Sequence, residues 1–251
     1  MKSKLFSLII IPFLFQSFFA FSQYSQLEAV KLKCFFLLTW QEDSLNPFHI
    51  REEKMVLLLG NQTSLFCSYG SYFLDSVVQK NANMNVETYR QLNAPRRFAH
   101  HFRIMKNFLA GQITTSDRVF SDAYIYNEPM SKIQWKLTNE TSQIKGYSVQ
   151  KATTNFGGRV WEAWFAESIP FKDGPYKFSG LPGLILKIQD NKGHYIFEIE
   201  SIQATNENVY TRHLSNDIQT NKRQFIEIQK KFSQDAAGSI LTSGVPLHQS
   251  Q

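Results

Sequence analysis

Two neighbouring segments that alternate apolar and polar side chains constrain the fold of this chain more than any other feature. Leu184 to Asp190 and Tyr195 to Ile202 flank the turn sequence Asn191-Lys192-Gly193. Opposite side chains of antiparallel strands lie close together, and a shift of one residue would move every side chain to the other face. One register suits both faces, because it forms the pairs Ile188–Phe197, Leu186–Ile199 and Lys187–Glu198. The sequence therefore predicts a hairpin with one apolar face.

A second hairpin is predicted just before the first. Ile144 to Thr154 and Arg159 to Glu167 have strand-like patterns and flank Gly157-Gly158, a glycine pair that suits a two-residue hairpin turn. Opposite charges on these two segments predict a cross-strand ion pair among Lys151, Arg159 and Glu162. Further strands are predicted at Leu27–Trp40, Lys54–Leu59, Leu65–Ser68, Arg118–Tyr126 and Gln134–Leu137.

Two segments have helical periodicity instead. Ser71 to Gln79 places its apolar residues on one helical face, and the apolar residues from Ile218 to Phe232 mark an amphipathic helix near the C-terminus. The apolar residues from Phe98 to Leu109 fit either a helix or a twisted strand. These patterns together predict a mainly β (α+β) fold, with a curved antiparallel sheet or half-barrel and about two packed helices.

The first 22 residues have the parts of a secretory signal peptide. Lys2 and Lys4 precede the apolar run from Leu5 to Phe15, and small residues follow up to Ser22. Because this run is shorter than the roughly 20 residues that span a bilayer, cleavage is favoured over a membrane anchor. We therefore predict a periplasmic or secreted protein, cleaved near Ser22 and without a transmembrane segment in its mature part. It would have a single domain over residues 23–235 and a flexible tail over residues 236–251.

Charge and cysteine content place further limits on the chain. The net charge of +6 includes two lysines of the predicted signal peptide, and this mild excess does not predict nucleic acid binding. The two cysteines, Cys34 and Cys67, could form a disulfide in an oxidising compartment. Two buried free thiols fit the sequence equally well, because the distance between the two Cβ atoms is unknown.

Between the two hairpins lies the hexapeptide Gly-Leu-Pro-Gly-Leu-Ile, residues 180–185. Proline presets φ at the second position of a type II turn, and glycine supplies the positive φ needed at the third. Leu181-Pro182-Gly183-Leu184 is therefore predicted to be such a turn. The connection from Ile169 to Gly183 has two open interpretations: a clasp that joins the hairpins, or a loop that shapes a ligand pocket. The candidate pocket aromatics are Trp161, Trp164, Phe165, Tyr176 and Phe178.

The hexapeptide and its surroundings resemble the signature of the GLPGLI family of exported proteins from Bacteroidetes-type bacteria. The motif positions are Trp164, Pro170, Gly174, Pro175, Gly180, Leu181, Pro182, Gly183, Leu184 and Ile185. Val149 stands where family members often carry a cysteine, so a disulfide or metal role of that cysteine does not carry over. The resemblance implies an exported protein without an assigned activity.

The sequence contains no recognised catalytic motif. Gly-x-Ser-x-Gly, His-Glu-x-x-His, Cys-x-x-Cys and a phosphate-binding loop are all absent. His100 and His101 are adjacent, but the basic side chains around them would repel a cation, and a solvated basic face is favoured over a metal site. These neighbours are Arg96, Arg97, Arg103 and Lys106. No catalytic residue, metal or cofactor is therefore predicted.

The favoured function is that of a non-enzymatic binding or carrier protein of the cell envelope, with a small hydrophobic molecule or a peptide as its ligand. One alternative is a hydrolase, which would require four side chains to converge on one cleft. Those side chains are Glu162, Asp173, Ser179 and His194. Another alternative is an interaction module for an outer-membrane receptor.

Overall fold

The computed structural model describes residues 24–42, 48–80, 98–205, 208–212 and 214–235. Its strands are β1 (Tyr24–Ala29), β2 (Leu32–Gln41), β3 (Ile50–Leu59), β4 (Ser64–Ser68), β5 (Arg103–Lys106), β6 (Gln112–Val119), β7 (Asp122–Pro129), β8 (Lys136–Ile144), β9 (Tyr147–Phe156), β10 (Arg159–Ala166), β11 (Leu184–Asp190), β12 (Tyr195–Ala204), β13 (Asn208–Arg212) and β14 (Ile218–Gln219). The helices are α1 (Tyr69–Lys80), α2 (Lys222–Gln234) and a short 3-10 helix (Leu214–Asn216). The predicted signal peptide and C-terminal tail lie outside the described residues and stay predictions.

Twelve of these strands form one large sheet in the order β14-β7-β6-β5-β4-β3-β2-β12-β11-β10-β9-β8. All neighbours are antiparallel except β14 and β7, which are parallel. The sheet is curved and open, without closing into a barrel. β1 and β13 form a separate two-stranded sheet. The predicted mainly β fold with a curved antiparallel sheet and two helices is confirmed.

Both predicted hairpins are present. In β11–β12, Ile188 lies opposite Phe197 and Lys187 lies opposite Glu198, with 2.8 Å between Lys187 Nζ and Glu198 Oε2. In β9–β10, the turn residues Gly157 and Gly158 have φ values of 59° and 76°, which are the positive angles that a two-residue hairpin turn requires.

The two faces of the sheet bury different side chains. Because successive side chains of a strand point to opposite faces, Leu57 of β3 packs in one apolar cluster while its neighbours Val56 and Leu58 pack in another. We call the face that carries most of the larger cluster the inner face; this cluster draws residues from strands as far apart in the sheet as β6 and β9. The smaller cluster lies on the outer face, where Tyr69 and Tyr72 of α1 cover it.

The two cysteines lie on opposite faces, so the disulfide considered above does not form. Cys34 of β2 belongs to the inner cluster, Cys67 of β4 belongs to the outer cluster, and β3 runs between their strands. Both thiols are free and buried.

Four local predictions needed correction. Leu27 to Trp40 is not one strand, because β1 ends at Ala29 and β2 begins at Leu32 in a different sheet. Arg118 to Tyr126 is not one strand, because the chain reverses at Phe120 and Ser121 between β6 and β7. The ambiguous segment after Phe98 contains the strand β5. Helix α2 begins at Lys222, where the Asn221 side chain accepts a hydrogen bond from the Gln224 backbone N–H, so Ile218 lies before the helix, in β14.

The helix α1 agrees with its prediction and packs against β3 and β4. Within the described residues, neither helix is long and apolar enough to cross a membrane.

Candidate functional site

The connection between β10 and β11 crosses the inner face of the sheet and organises the site. We call residues 167–183 the connecting segment. Its side chains Phe178 and Leu181 are fully buried in the inner cluster. From the distant strand β5, Lys106 Nζ donates hydrogen bonds to the backbone carbonyls of Gly174 (2.7 Å) and Phe178 (3.1 Å). The segment thus ties the two halves of the open sheet together.

Ion pairs hold the connecting segment at two places. Asp173 pairs with Lys106 and accepts a 2.7 Å hydrogen bond from Ser64 Oγ of β4. Burial lowers the pKa of Lys106, and the Asp173 carboxylate opposes that shift. Four residues after Asp173, Lys177 pairs with Glu128 of β7. The clasp interpretation of this segment is therefore supported by contacts to β4, β5 and β7.

The predicted type II turn at Leu181–Leu184 is wrong. Gly180 has a positive φ of 96°, whereas Gly183 does not have a positive φ. Gly183 is needed for a different reason, because a Cβ atom there would lie 2.1 Å from the carbonyl oxygen of Ala166. A Cβ atom on Gly174 would similarly lie 2.8 Å from the Cβ atom of Ile185. The motif glycines therefore allow the connecting segment to pack closely on β10 and β11.

The inner face holds two pockets at opposite ends of its strands, with the connecting segment between them. The first, which we call the aromatic pocket, has a volume of about 430 Å³. It is lined by Leu38, His100, Phe102, Phe156, Gly157, Arg159, Trp161, Tyr176, Lys177, Tyr195, Phe197 and Lys222. Of the five predicted aromatics, Trp161 and Tyr176 line it.

The other three predicted aromatics lie elsewhere. Phe178 packs behind the pocket wall, with its ring centroid 4.7 Å from that of Trp161. Phe165 is fully buried in the inner core. Trp164 lies on the other side of β10, beneath the ammonium group of Lys151, which is 5.8 Å from its ring.

Arg159 places a cation on the wall of the aromatic pocket. Its Nη1 lies 2.5 Å from Asp190 Oδ2, and its guanidinium carbon lies 5.0 Å from the centre of the Tyr195 ring. The side chain of Asp190 is 0% exposed, whereas that of Arg159 is 37% exposed. A ligand in the pocket would therefore meet the guanidinium and not the carboxylate.

Two lysines share one carboxylate at the same pocket. Glu128 pairs with Lys177 and also with Lys222 Nζ at 2.7 Å. Burial lowers the pKa of Lys177. Burial raises the pKa of Glu128, but the hydrogen bonds from both lysines outweigh that effect and lower it overall. The pair of lysines leaves one positive charge in excess beside the pocket.

His100 and His101 diverge, as expected for adjacent residues. His100 Nδ1 lies 2.6 Å from Glu53 Oε2, and its ring packs edge-on against Trp40 at the aromatic pocket. His101 instead contacts Phe98, and burial lowers its pKa. Within the described residues, no group of three or more His, Cys, Asp or Glu side chains could hold a metal ion.

The predicted solvated basic face is wrong for Arg103 and Lys106, which are both buried. Arg103 makes a two-pronged ion pair with Asp75 of α1, at 3.0–3.2 Å. Arg96 and Arg97 lie outside the described residues.

The second pocket, which we call the polar pocket, has a volume of about 510 Å³ at the other end of the connecting segment. Asp173 and Ser179 both line it. Glu162 instead pairs with Lys151 at 3.4 Å, and His194 lies 3.4 Å from Arg159. The four side chains of the hydrolase alternative therefore do not converge, and that hypothesis is wrong for these residues. The predicted cross-strand pair of Lys151 and Glu162 is confirmed.

The sequence analysis did not identify most of the residues that line the aromatic pocket. Arg159 and Phe156 could have been found, because they flank the predicted Gly157-Gly158 turn and pair directly across it. His100 and Lys222 come from distant parts of the chain, and no local pattern connects them to this hairpin.

Comparisons with known proteins give a different relationship from the one that the hexapeptide indicated. A family model described as "N-glycanase peptide, N-terminal domain" matches residues 102–225. These findings contradict the resemblance to the GLPGLI family, which was wrong. A comparison with curated protein sequences found no match.

Two solved structures of PNGF-II, in different crystal forms, are similar to this chain. Each has 16% sequence identity and a TM-score of 0.53, and each match covers 81% of this chain. The matches cover 33% and 34% of the PNGF-II chains, so this chain spans about a third of their length. The chain thus shares its fold with part of PNGF-II and, over residues 102–225, is similar to the N-terminal domain of N-glycanase peptides.

Proposed function

We propose that this protein binds saccharides, and that its aromatic pocket holds a sugar unit of a glycan. The observation that carries the proposal is the set of partly exposed aromatic rings around one 430 Å³ cavity. These rings belong to Phe102, Phe156, Tyr176 and Tyr195.

A sugar ring suits this pocket because it has both apolar and polar surfaces. Its C–H groups can pack on the faces of aromatic side chains, which offer a large contact area with few rotatable bonds. Its hydroxyl groups require hydrogen-bonding partners at the edge. Arg159, Lys222 and His100 provide such groups next to the rings.

The similarity to known proteins supports a ligand of this class. The matching family is named for N-glycanase, an activity on glycans, and the similar structures are those of PNGF-II. Because this chain corresponds to only about a third of PNGF-II, the proposal transfers the ligand class and not the reaction.

The charged wall also distinguishes a saccharide from the purely hydrophobic ligand that the sequence favoured. Burying an apolar ligand against Arg159 and Lys222 would remove water from two cations without replacing its hydrogen bonds. A ligand that carries hydroxyl groups on its edge avoids this penalty.

Glycan array screening followed by calorimetric titration would test the proposal. Phe156→Ala should weaken binding of a selected glycan by about tenfold, since it removes one aromatic contact surface worth on the order of 1 kcal/mol or more. Trp164→Ala is the matched control, because Trp164 lies on the opposite side of the neighbouring strand. A wild-type protein that binds an apolar fluorescent probe in this pocket but no glycan would contradict the proposal.

A further inference from the structure

We propose that the aromatic pocket selects saccharides that carry an anionic oxygen group, and that Arg159 is the residue that recognises this group. This inference rests on the proposed saccharide binding and adds the substrate class. It depends on the contacts that orient the Arg159 side chain, and on which charged side chains at the cavity are exposed and which are buried.

The guanidinium of Arg159 is fixed in position, but some of its N–H donors remain unused. One nitrogen, Nη1, contacts Asp190, and the planar group lies over the ring of Tyr195. Asp190 is in turn fixed by a 3.0 Å hydrogen bond that its Oδ1 accepts from the Tyr195 backbone N–H. Nε and Nη2 have no hydrogen-bonding partner within the described part of the chain. An arginine offers five donors in a planar fork, and two such N–H groups match the two oxygens of a carboxylate.

A second arginine shows what a purely structural pair looks like in the same fold. Arg103 uses both Nε and Nη2 to contact Asp75, and the two side chains are each only 9% exposed. Arg159 has a single nitrogen engaged, and it lines a cavity. The difference indicates that the remaining donors of Arg159 are available to a ligand.

The local charge balance also favours an anion. Lys177 and Lys222 line the cavity, but they share the single carboxylate of Glu128, which is not part of the lining. Asp190 is completely covered. A ligand in the pocket therefore faces the Arg159 guanidinium and the Lys222 ammonium group, whose side chains are 37% and 52% exposed, whereas the Lys177 side chain is 3% exposed. Cations that are fixed at the wall of a pocket attract an anionic ligand more strongly than the same cations would in open water.

The aromatic rings define the rest of the ligand. Phe156 precedes the turn that carries Arg159, and Tyr195 lies beneath the guanidinium. An anionic group at Arg159 would therefore be attached to a ring that packs on these aromatic faces. A sugar acid, such as a hexuronic acid unit, has this combination of a carboxylate and a ring with C–H faces.

The test uses calorimetric titration of the full chain with three matched oligosaccharides: one neutral, one with a carboxylate at a terminal hexose, and one with a sulfate there. We expect the carboxylate ligand to bind at least about tenfold more tightly than the neutral one, as charge-assisted hydrogen bonds predict. Arg159→Gln should remove this preference, so that the carboxylate and neutral ligands bind with similar affinity. Arg159→Lys keeps the charge without the planar fork, and it should restore only part of the preference.

Lys145→Asn provides the control for net charge. Lys145 lies in the turn between β8 and β9 with a φ of 50°, which asparagine tolerates, and it is not part of the pocket. This variant should keep the full preference. Equal binding of neutral and anionic ligands by the wild type would overturn the inference and leave saccharide binding standing. A preference for sulfate over carboxylate would support anion recognition and place the ligand among sulfated sugars. Failure of all three ligands to bind would overturn both proposals.

Discussion

The substitution Gly183→Ala tests whether the motif glycine serves close packing rather than a positive φ. The added Cβ atom would lie 2.1 Å from the oxygen and 2.5 Å from the carbon of the Ala166 carbonyl group, and 2.8 Å from Glu167 Cα. All three are backbone atoms, so no flexible side chain can move aside, and β10 and the connecting segment must separate. Overpacking in a well-packed interior costs about 1–3 kcal/mol, and occasionally more. Since backbone must move here, we expect a loss of about 3 kcal/mol in the free energy of unfolding.

Urea denaturation followed by circular dichroism measures this change, with an unchanged slope as evidence that the denatured state is unaffected. Gly180→Ala is the informative comparison. Gly180 has a φ of 96°, and the atom nearest to its added Cβ would be 3.9 Å away. Its replacement should cost only the conformational strain, about 1–2 kcal/mol. A Gly183→Ala protein that is as stable as the wild type, or more stable than Gly180→Ala, would refute the close-packing argument.

Three further predictions concern ionisable groups. Lys106→Met should lower the free energy of unfolding in urea by about 3 kcal/mol, because it leaves the Asp173 carboxylate without its ion pair. The double variant Lys106→Met with Asp173→Leu should recover part of that lost stability. An equal loss in the double variant would argue against the ion pair. The lowered pKa of Glu128 means that its ionised form stabilises the fold above its unfolded pKa of 4.5 and that this stabilisation disappears as the pH falls through its lower folded value. The stability difference between wild type and Glu128→Gln should therefore shrink in acid, and a constant difference from pH 7 to pH 3 would contradict the assignment. Burial raises the pKa of Cys34 and Cys67 to about 12, so neither thiol should react with Ellman's reagent at pH 8 until the chain is unfolded. Fast reaction of the native protein would instead show that the thiols are accessible.

Short-range patterns in the sequence predicted the hairpins well. The register of β11 and β12 follows from alternating apolar and charged side chains within about 20 residues, and the turn at Gly157-Gly158 follows from the backbone preference of glycine. Such information is local, so it needs no knowledge of the rest of the fold.

Several predictions failed because the outcome depended on distant contacts. Pro182-Gly183 fits a type II turn by composition, but Gly183 is constrained by the carbonyl group of Ala166, which only the folded chain brings near. Arg103 and Lys106 looked like surface charges because their partners, Asp75 and Asp173, lie far away in the sequence.

The aromatic pocket combines both cases. The part formed by the β9–β10 hairpin was partly foreseen through Trp161, while the part contributed by His100 and Lys222 requires the strand order of the whole sheet. The hexapeptide also misled the family assignment, because it lies within residues 102–225, which match a different family model.

The most direct test of ligand binding in the aromatic pocket uses the indole N–H signals of three tryptophans in a two-dimensional NMR titration. Trp161 lines the aromatic pocket and donates its indole N–H to the Phe156 carbonyl at 2.9 Å. The Trp135 indole instead donates to the carbonyl of Ser179, a residue that lines the polar pocket, and Trp164 lies on the far side of β10. Titration with a glycan that carries a sugar acid should shift the Trp161 signal to saturation and leave those of Trp135 and Trp164 unchanged. A saturable shift of Trp135 or Trp164 with no change at Trp161 would contradict the assignment of this pocket as the binding site.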